Sequence, residues 1–384
     1  MTRERLLVNF FYSHAVGHAV EALHYCLGHH TAAPDRAVSV VLNAATACEL
    51  AEYCPFVECW YPIEHPFVEP GVDSVRALEG VPRRWDWIVD DFRRRQDFQL
   101  RAFPGMHDYY EASDRHLIAE RGRTVVGDWA AGYVPRCRLR LELPAAARDR
   151  ALHLMRGGEG VPWIAVMPAG SGYRSLYPSI RSWRLILDAL MDRLPGARFA
   201  LIGKLRRDGR TASTLAPGEV ADLLAHPSRP LDGFDLGLTE QLAIVEACDV
   251  FVSPHTGFGM AALAVGTPWL TISGGRWFEY YFNHVPFRSI IPDVERYPAF
   301  TQFEEPPTIS DGDDGPRTPS MTLARIQDDL DRIATAAAEL VDGSVTYERA
   351  LAEYFNALLA AHQGDAGQIW SIDGVHAGYV AAAR

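Results

Sequence analysis

The stretch Asp249-Val250-Phe251-Val252-Ser253-Pro254-His255-Thr256-Gly257-Phe258-Gly259-Met260-Ala261-Ala262-Leu263-Ala264-Val265-Gly266-Thr267-Pro268 contains a strand, a loop and a helix in quick succession. Val250 to Ser253 is a short apolar run of strand length, and Phe258 to Val265 is a helix-length apolar run. The loop between them is built of small residues, which let a backbone approach a ligand. The helix it opens presents free N–H groups and the positive end of its dipole, a combination that binds phosphate. The same residues would also make a tight turn with a threonine N-cap and glycines placed for packing.

The same rhythm extends outward on both sides. Trp269 to Ser273 is a strand ending in Gly274-Gly275, and Thr239 to Cys248 is a helix. Upstream, Trp163 to Met167 is a strand ending in Pro168-Ala169-Gly170-Ser171-Gly172, Ser182 to Leu194 a helix, and Arg198 to Ile202 a strand ending in Gly203-Lys204. The first half alternates in the same way. Leu6 to Tyr12 is a strand, Val16 to Leu27 a helix, Ala37 to Leu42 a strand, Ala44 to Tyr53 a helix, and Val57 to Ile63 and Trp87 to Val89 are strands. A helix near Tyr109 to Glu120 and a strand at Thr124 to Val126 follow. Strands alternating with helices predict an α/β fold with parallel sheets. Two such series predict two Rossmann-like domains facing one another, residues 1–158 and 159–303. Residues 304–320, rich in Pro, Asp and Gly, read as a flexible loop. Two helices in 321–384 complete the chain.

Composition narrows the function classes. The 384 residues, 48% of them hydrophobic, suffice for two domains with sizeable cores. Acidic residues outnumber basic ones 49 to 37, which argues against a nucleic-acid partner. Lys204 is the sole lysine. None of the six cysteines forms a C-x-x-C pair, so free thiols and no zinc site are expected. With no run of 18 apolar residues and no signal-peptide cleavage region, a soluble, cytoplasmic protein is expected, with no integral membrane segment.

In open parallel sheets ligands lie at the carboxyl ends of the strands, so the loops there supply the candidate residues. His255, Thr256 and Gly257 follow one strand. Gly170, Ser171 and Arg174 follow another, where the arginine's fork could grip a diphosphate or simply be solvated. Lys204 follows a third, by function or by chance. His18 opens the first helix, where an imidazole could abstract a proton near neutral pH or stand exposed to solvent. Asp90 and Asp91 end another N-terminal strand, as an orienting pair for that histidine or as a solvated strand end. Asp311-Gly312-Asp313 has the spacing of a metal-binding carboxylate pair, in the segment read as flexible. Arg93-Arg94-Arg95 reads as a solvated face. The aromatic residues Trp277, Phe278, Tyr280, Tyr281 and Phe282 suit core packing or stacking on a base or sugar.

The quoted stretch resembles, without a gap, the signature D-x-x-V-x-x-D-T-G-x-x-H-x-A-A-A-L-G-T-P of the ADP-heptose:lipopolysaccharide heptosyltransferase family. Thr256, Gly257, Gly266, Thr267 and Pro268 match in register. Val166-Met167-Pro168-Ala169-Gly170 looks like the family's strand and glycine loop, and Phe199 to Gly203 like another of its strands. His255 stands where the family has aspartate, Met260 where it has histidine, Arg174 nearest to a family lysine, and Gly17-His18 in place of Gly-Asp. The resemblance implies a GT-B glycosyltransferase that takes a nucleotide-sugar as co-substrate, with no cofactor and no metal. It further implies a donor held by the C-terminal domain, an acceptor hydroxyl and a base supplied by the N-terminal domain, and a C-terminal helix crossing back to the N-terminal domain. A nucleotide-sugar 2-epimerase of the same fold and a non-catalytic ligand-binding relative are the rival readings.

Overall fold

The computed structural model describes residues 3–10, 15–63, 80–90, 119, 131–156, 160–274, 281–299 and 307–366. The helix expected near Tyr109, the strand Thr124 to Val126, Arg93 to Arg95, His14, Asp91 and residues 277–280 of the aromatic stretch lie outside them.

The chain divides into two compact units, Met1–Glu142 with Gly209–Thr211, and Leu143–Asp208 with Ala212–Arg384. The first is built on four parallel strands in the order β3-β2-β1-β4: β1 Arg5–Phe10, β2 Ala37–Asn43, β3 Val57–Ile63 and β4 Trp87–Asp90. Helix α1, Val16–Ala32, connects β1 to β2. Every residue of β2 is buried, as expected of a strand inside a covered parallel sheet. Strand β3 is half exposed and carries Pro62, which an edge strand tolerates because its outer N–H groups need no partner. Where a helix was expected from Ala44, the chain forms a short 3₁₀ turn over Cys48–Tyr53.

The second unit is built on six parallel strands in the order β10-β9-β8-β5-β6-β7. They are β5 Trp163–Val166, β6 Arg198–Gly203, β7 Leu231–Phe234, β8 Val250–Pro254, β9 Trp269–Ile272 and β10 Phe287–Ile290. The helices are α2 Ala145–Leu154, α3 Ile180–Arg193, α4 Pro217–Leu224, α5 Leu238–Glu246, α6 Gly257–Val265, α7 Leu323–Val341 and α8 Tyr347–Ala361. Helix α6 is buried from Phe258 to Val265, as its unbroken apolar sequence requires, and Gly266 closes it at φ 89°. Among the described residues, no helix is long and apolar enough to cross a membrane.

Three features of the described residues bear on the expected domain layout. Helix α2 belongs with the second unit, because Arg148 pairs with Glu246 at 2.7 Å and Arg150 with Glu240 at 2.9 Å on α5. The division therefore falls at residues 142/143 rather than 158. The described C-terminal helices pack on the second sheet. The apolar stripe of α7 (Ile326, Ile333, Ala337, Leu340) joins one core with Trp183, Ile186 and Leu190 of α3, and Tyr354, Phe355 and Leu358 of α8 join it too. Arg288 on β10 ties both helices down through Glu339 at 2.6 Å and Glu353. Finally, the end of the segment 307–320 is packed, while residues 307–310 are exposed. Arg317, Thr318 and Ser320 are buried, an antiparallel bridge joins Ile309 to Arg317, and Thr318 N–H donates to Ser175 O at 2.9 Å.

Candidate functional site

In each sheet the strand order reverses at one place. In the second it does so between β5 and β8, which pair directly, with Val166 beside Val252. The carboxyl ends of these two strands are the place where open parallel sheets form a ligand crevice. Gly170 and Thr256 meet there. A Cβ on Gly170 would stand 3.2 Å from Thr256 Cγ2 and 3.0 Å from the Tyr177 hydroxyl, so any larger residue would fill the space. Tyr177 holds the loop by accepting the Gly172 N–H at 2.7 Å, and Trp183 anchors its start by donating to Pro168 O at 2.9 Å.

Thr256 is the N-cap residue of α6, yet its hydroxyl makes no capping bond. Its Oγ1 is shielded from solvent and has no hydrogen-bond partner. Thr214 repeats the pattern. Its N–H donates to Gly170 O at 3.1 Å, while its own Oγ1 is buried without a partner. Two unsatisfied hydroxyls beside Gly170 and the first-turn N–H groups of α6 form a set of donors of the kind that suits an anion. The returning chain is fixed by Ser213, whose N–H bonds Lys204 O at 2.6 Å and whose hydroxyl donates to Ala169 O at 3.1 Å.

The expected residues fall into three groups. Gly170, Thr256 and Gly257 come together, with Ser171 in the same loop. Lys204 reaches the site through its main chain, while its amine pairs with Asp208. Arg174 is adjacent, but its guanidinium pairs with Glu219, whose other oxygen accepts the Ala216 N–H at 2.7 Å. His255 lies edge-on to Trp269, ring centroids 6.1 Å apart, and burial pushes its pKa down to about 4. It is therefore neutral at pH 7, where the family's aspartate would be negative. The two described residues of the aromatic stretch are core: Tyr281 and Phe282 are buried, with Phe282 5.6 Å from Phe287 and 5.8 Å from Phe355 between centroids.

The first sheet reverses between β1 and β4, where Asn9 lies beside Asp90 in register. His18, in the first turn of α1, and Asp90, the last residue of β4, thus stand at the carboxyl ends of adjacent strands. The side chain of Asp90 is outside the described residues. Glu21 is the carboxylate beside His18, 3.5 Å from Nδ1 and itself mostly buried. Sequence reading passed over Glu21 although its three-residue spacing on a helix places it on the same face. It also missed Thr214 and Tyr177, for which no motif gave a signal. Among the described residues, no group of three or more His, Cys, Asp or Glu side chains could hold a metal ion.

No family model matches the chain, and no curated protein matches it. Solved structures do. A glycosyl transferase family 9 structure from Veillonella parvula superposes with a TM-score of 0.56 at 12% identity, covering 88% of this chain and 97% of that one. ADP-heptose lipopolysaccharide heptosyltransferase II of E. coli follows at TM-score 0.48 and 12% identity, covering 86% and 98%. E. coli heptosyltransferase WaaC with ADP follows at 0.46 and 14%, covering 87% and 99%. The first of these shares this chain's fold.

Proposed function

We propose that this protein is a glycosyltransferase that moves a sugar from a nucleoside-diphosphate sugar to an acceptor hydroxyl, inverting the anomeric centre without a metal ion. The observation that carries the reading is the pair of unsatisfied hydroxyls, Thr256 and Thr214, on either side of Gly170 at the reversal point of the second sheet. A buried hydroxyl without a partner is costly and calls for an explanation, and a diphosphate oxygen supplies one. The gapless signature around Thr256-Gly257 and the shared fold support the same reading.

In this account the donor diphosphate lies against Gly170, Thr214, Thr256 and the N–H groups of Gly257 and Phe258. Helix α6 offers the departing diphosphate a fixed positive pole that needs no reorganisation as charge develops. The neutral imidazole of His255 spares it the repulsion of a carboxylate. His18 takes the proton of the acceptor hydroxyl, with Glu21 stabilising the imidazolium that forms. The acceptor oxygen attacks the anomeric carbon from the face opposite the leaving group. The bond to the diphosphate breaks, and the diphosphate departs with the electron pair.

A turnover assay with a panel of nucleotide-sugars tests this, reading nucleoside diphosphate release with and without a sugar acceptor, and with EDTA present. Acceptor-dependent release that survives EDTA supports the reading. Isomerised donor without transfer would favour the epimerase, and binding without turnover a ligand-binding protein. A strict need for a divalent cation would overturn the proposed chemistry.

A further inference from the structure

The packed segment Asp311–Ser320 brings a second arginine to the carboxyl end of the second sheet. At one end Asp314 accepts the Ser179 hydroxyl at 2.9 Å, and Thr318 N–H reaches Ser175 O in the loop after β5. At the other end the Ser320 hydroxyl donates to Gly274 O, directly after β9. Strands β5 and β9 are the two neighbours of β8 in the sheet, so the segment links the loops on either side of the Thr256 loop.

Arg317 lies within this link and is 3% exposed. Its Nη1 donates to Pro316 O at 3.0 Å, but its Nε is buried and has no partner. Asp311, Asp314 and Glu219 act on it only through space, because each is engaged elsewhere. Asp311 takes the Leu323 N–H at the start of α7, Asp314 takes Ser179, and Glu219 takes Arg174. Burial, and then the neighbouring Arg174 guanidinium, hold Arg317's pKa below the usual arginine value. Those three carboxylates partly offset the Arg317 charge, while its unused buried N–H and the cation beside it leave room for a further anionic partner.

We infer that Arg317 is a donor-binding residue, supplying together with Arg174 the cationic charge for the diphosphate. The inference rests on the reading of that crevice as a nucleoside-diphosphate site. Arg174, paired with Glu219, cannot carry the role alone. Arg317 comes to the neighbourhood of Arg174 from a segment some 140 residues later in the chain, which is why motif matching does not find it. The guanidinium's planar fork suits two phosphate oxygens at once.

The test titrates ADP, GDP, UDP and dTDP into wild type, R317M and R317K by calorimetry, with the corresponding monophosphate of whichever binds. Thermal unfolding of each ligand-free protein is measured alongside. R317M keeps the apolar stem and removes the charge and the unpartnered N–H. Its ligand-free melting temperature should match or exceed wild type, while diphosphate affinity falls about 10–100-fold and the preference for diphosphate over monophosphate shrinks. R317K should recover part of that preference. A variant R317M that melts lower or does not fold would show the arginine to be structural and overturn the inference. Unchanged diphosphate affinity in a folded R317M would overturn it too, leaving the crevice assignment intact. If wild type binds none of the four diphosphates, the crevice assignment itself falls.

Discussion

Replacing Thr256 by valine should stabilise the ligand-free protein and weaken its complex with a nucleoside diphosphate. The residue is 7% exposed, and its hydroxyl is fully shielded with no partner. A buried unsatisfied hydroxyl costs about 1–3 kcal/mol. Losing an N-cap would ordinarily offset that gain, but this hydroxyl does not cap α6. Valine keeps the methyl that faces Gly170 and fills the hydroxyl's place with a second one. The expected net gain is about 1 kcal/mol, or roughly 2–4 °C in melting temperature for a unit of this size. On the ligand side, a hydrogen bond to a charged phosphate oxygen contributes about 1.5–3 kcal/mol, so affinity should fall roughly 10–150-fold. Urea and thermal unfolding measure the first effect, and calorimetric titration of the bound nucleotide the second. A less stable T256V would mean that the hydroxyl has a partner in the ligand-free protein. Unchanged affinity would mean that phosphate binds elsewhere. Either result refutes the reasoning.

Three other outcomes follow from the same structure. A Cβ on Gly259 would fall inside the Trp269 indole, so G259A should lose about 1–3 kcal/mol by overpacking α6 against β9. Trimming the indole in G259A/W269L should return part of that in thermal unfolding, and a G259A as stable as wild type would contradict the packing. His18→Ala should lose about 10²–10⁴-fold in kcat with nucleotide affinity unchanged, and Glu21→Gln should lose less; near-wild-type turnover of the His18 variant would reassign the base. His29 is buried and His255 partly buried, with pKa values of about 4 in the fold against an ordinary value of 6.5. Between those values the unfolded chain binds protons that the fold excludes, so stability is complete above pH 6.5 and is lost as pH falls toward 4, by up to roughly 3 kcal/mol for each histidine. Urea unfolding from pH 7 to 4 should show this decline, and His255→Asn should flatten it; a flat wild-type curve would count against both burials.

The central strands and their loops were legible because parallel strands are covered on both faces and so appear as unbroken apolar runs: Val250 to Ser253, Trp163 to Met167, Arg198 to Ile202. Strands β7 and β10 escaped reading. They are the sheet's edges, and sequences such as Leu231-Asp232-Gly233-Phe234 mix polar, glycine and apolar residues as edge positions allow. Gly170, Thr256 and Gly257 could be found because sheet order places strand-end loops together whatever their sequence. Thr214 and Arg317 could not, since long-range folding alone brings them to their places. Nor could the sequence show that Arg174 and Lys204 each meet a carboxylate, which changes what charge they can offer.

The central claim is that the loop Ser253 to Gly259, with Gly170 and Thr214, holds a nucleoside diphosphate. Thermal unfolding with ADP, GDP, UDP and dTDP, run on wild type and on Gly257→Leu, tests it most directly, since a ligand that binds only the fold raises the melting temperature by mass action. The account predicts that at least one of the four stabilises wild type and that none stabilises a folded Gly257→Leu. Equal stabilisation of both proteins, or of neither, would contradict it.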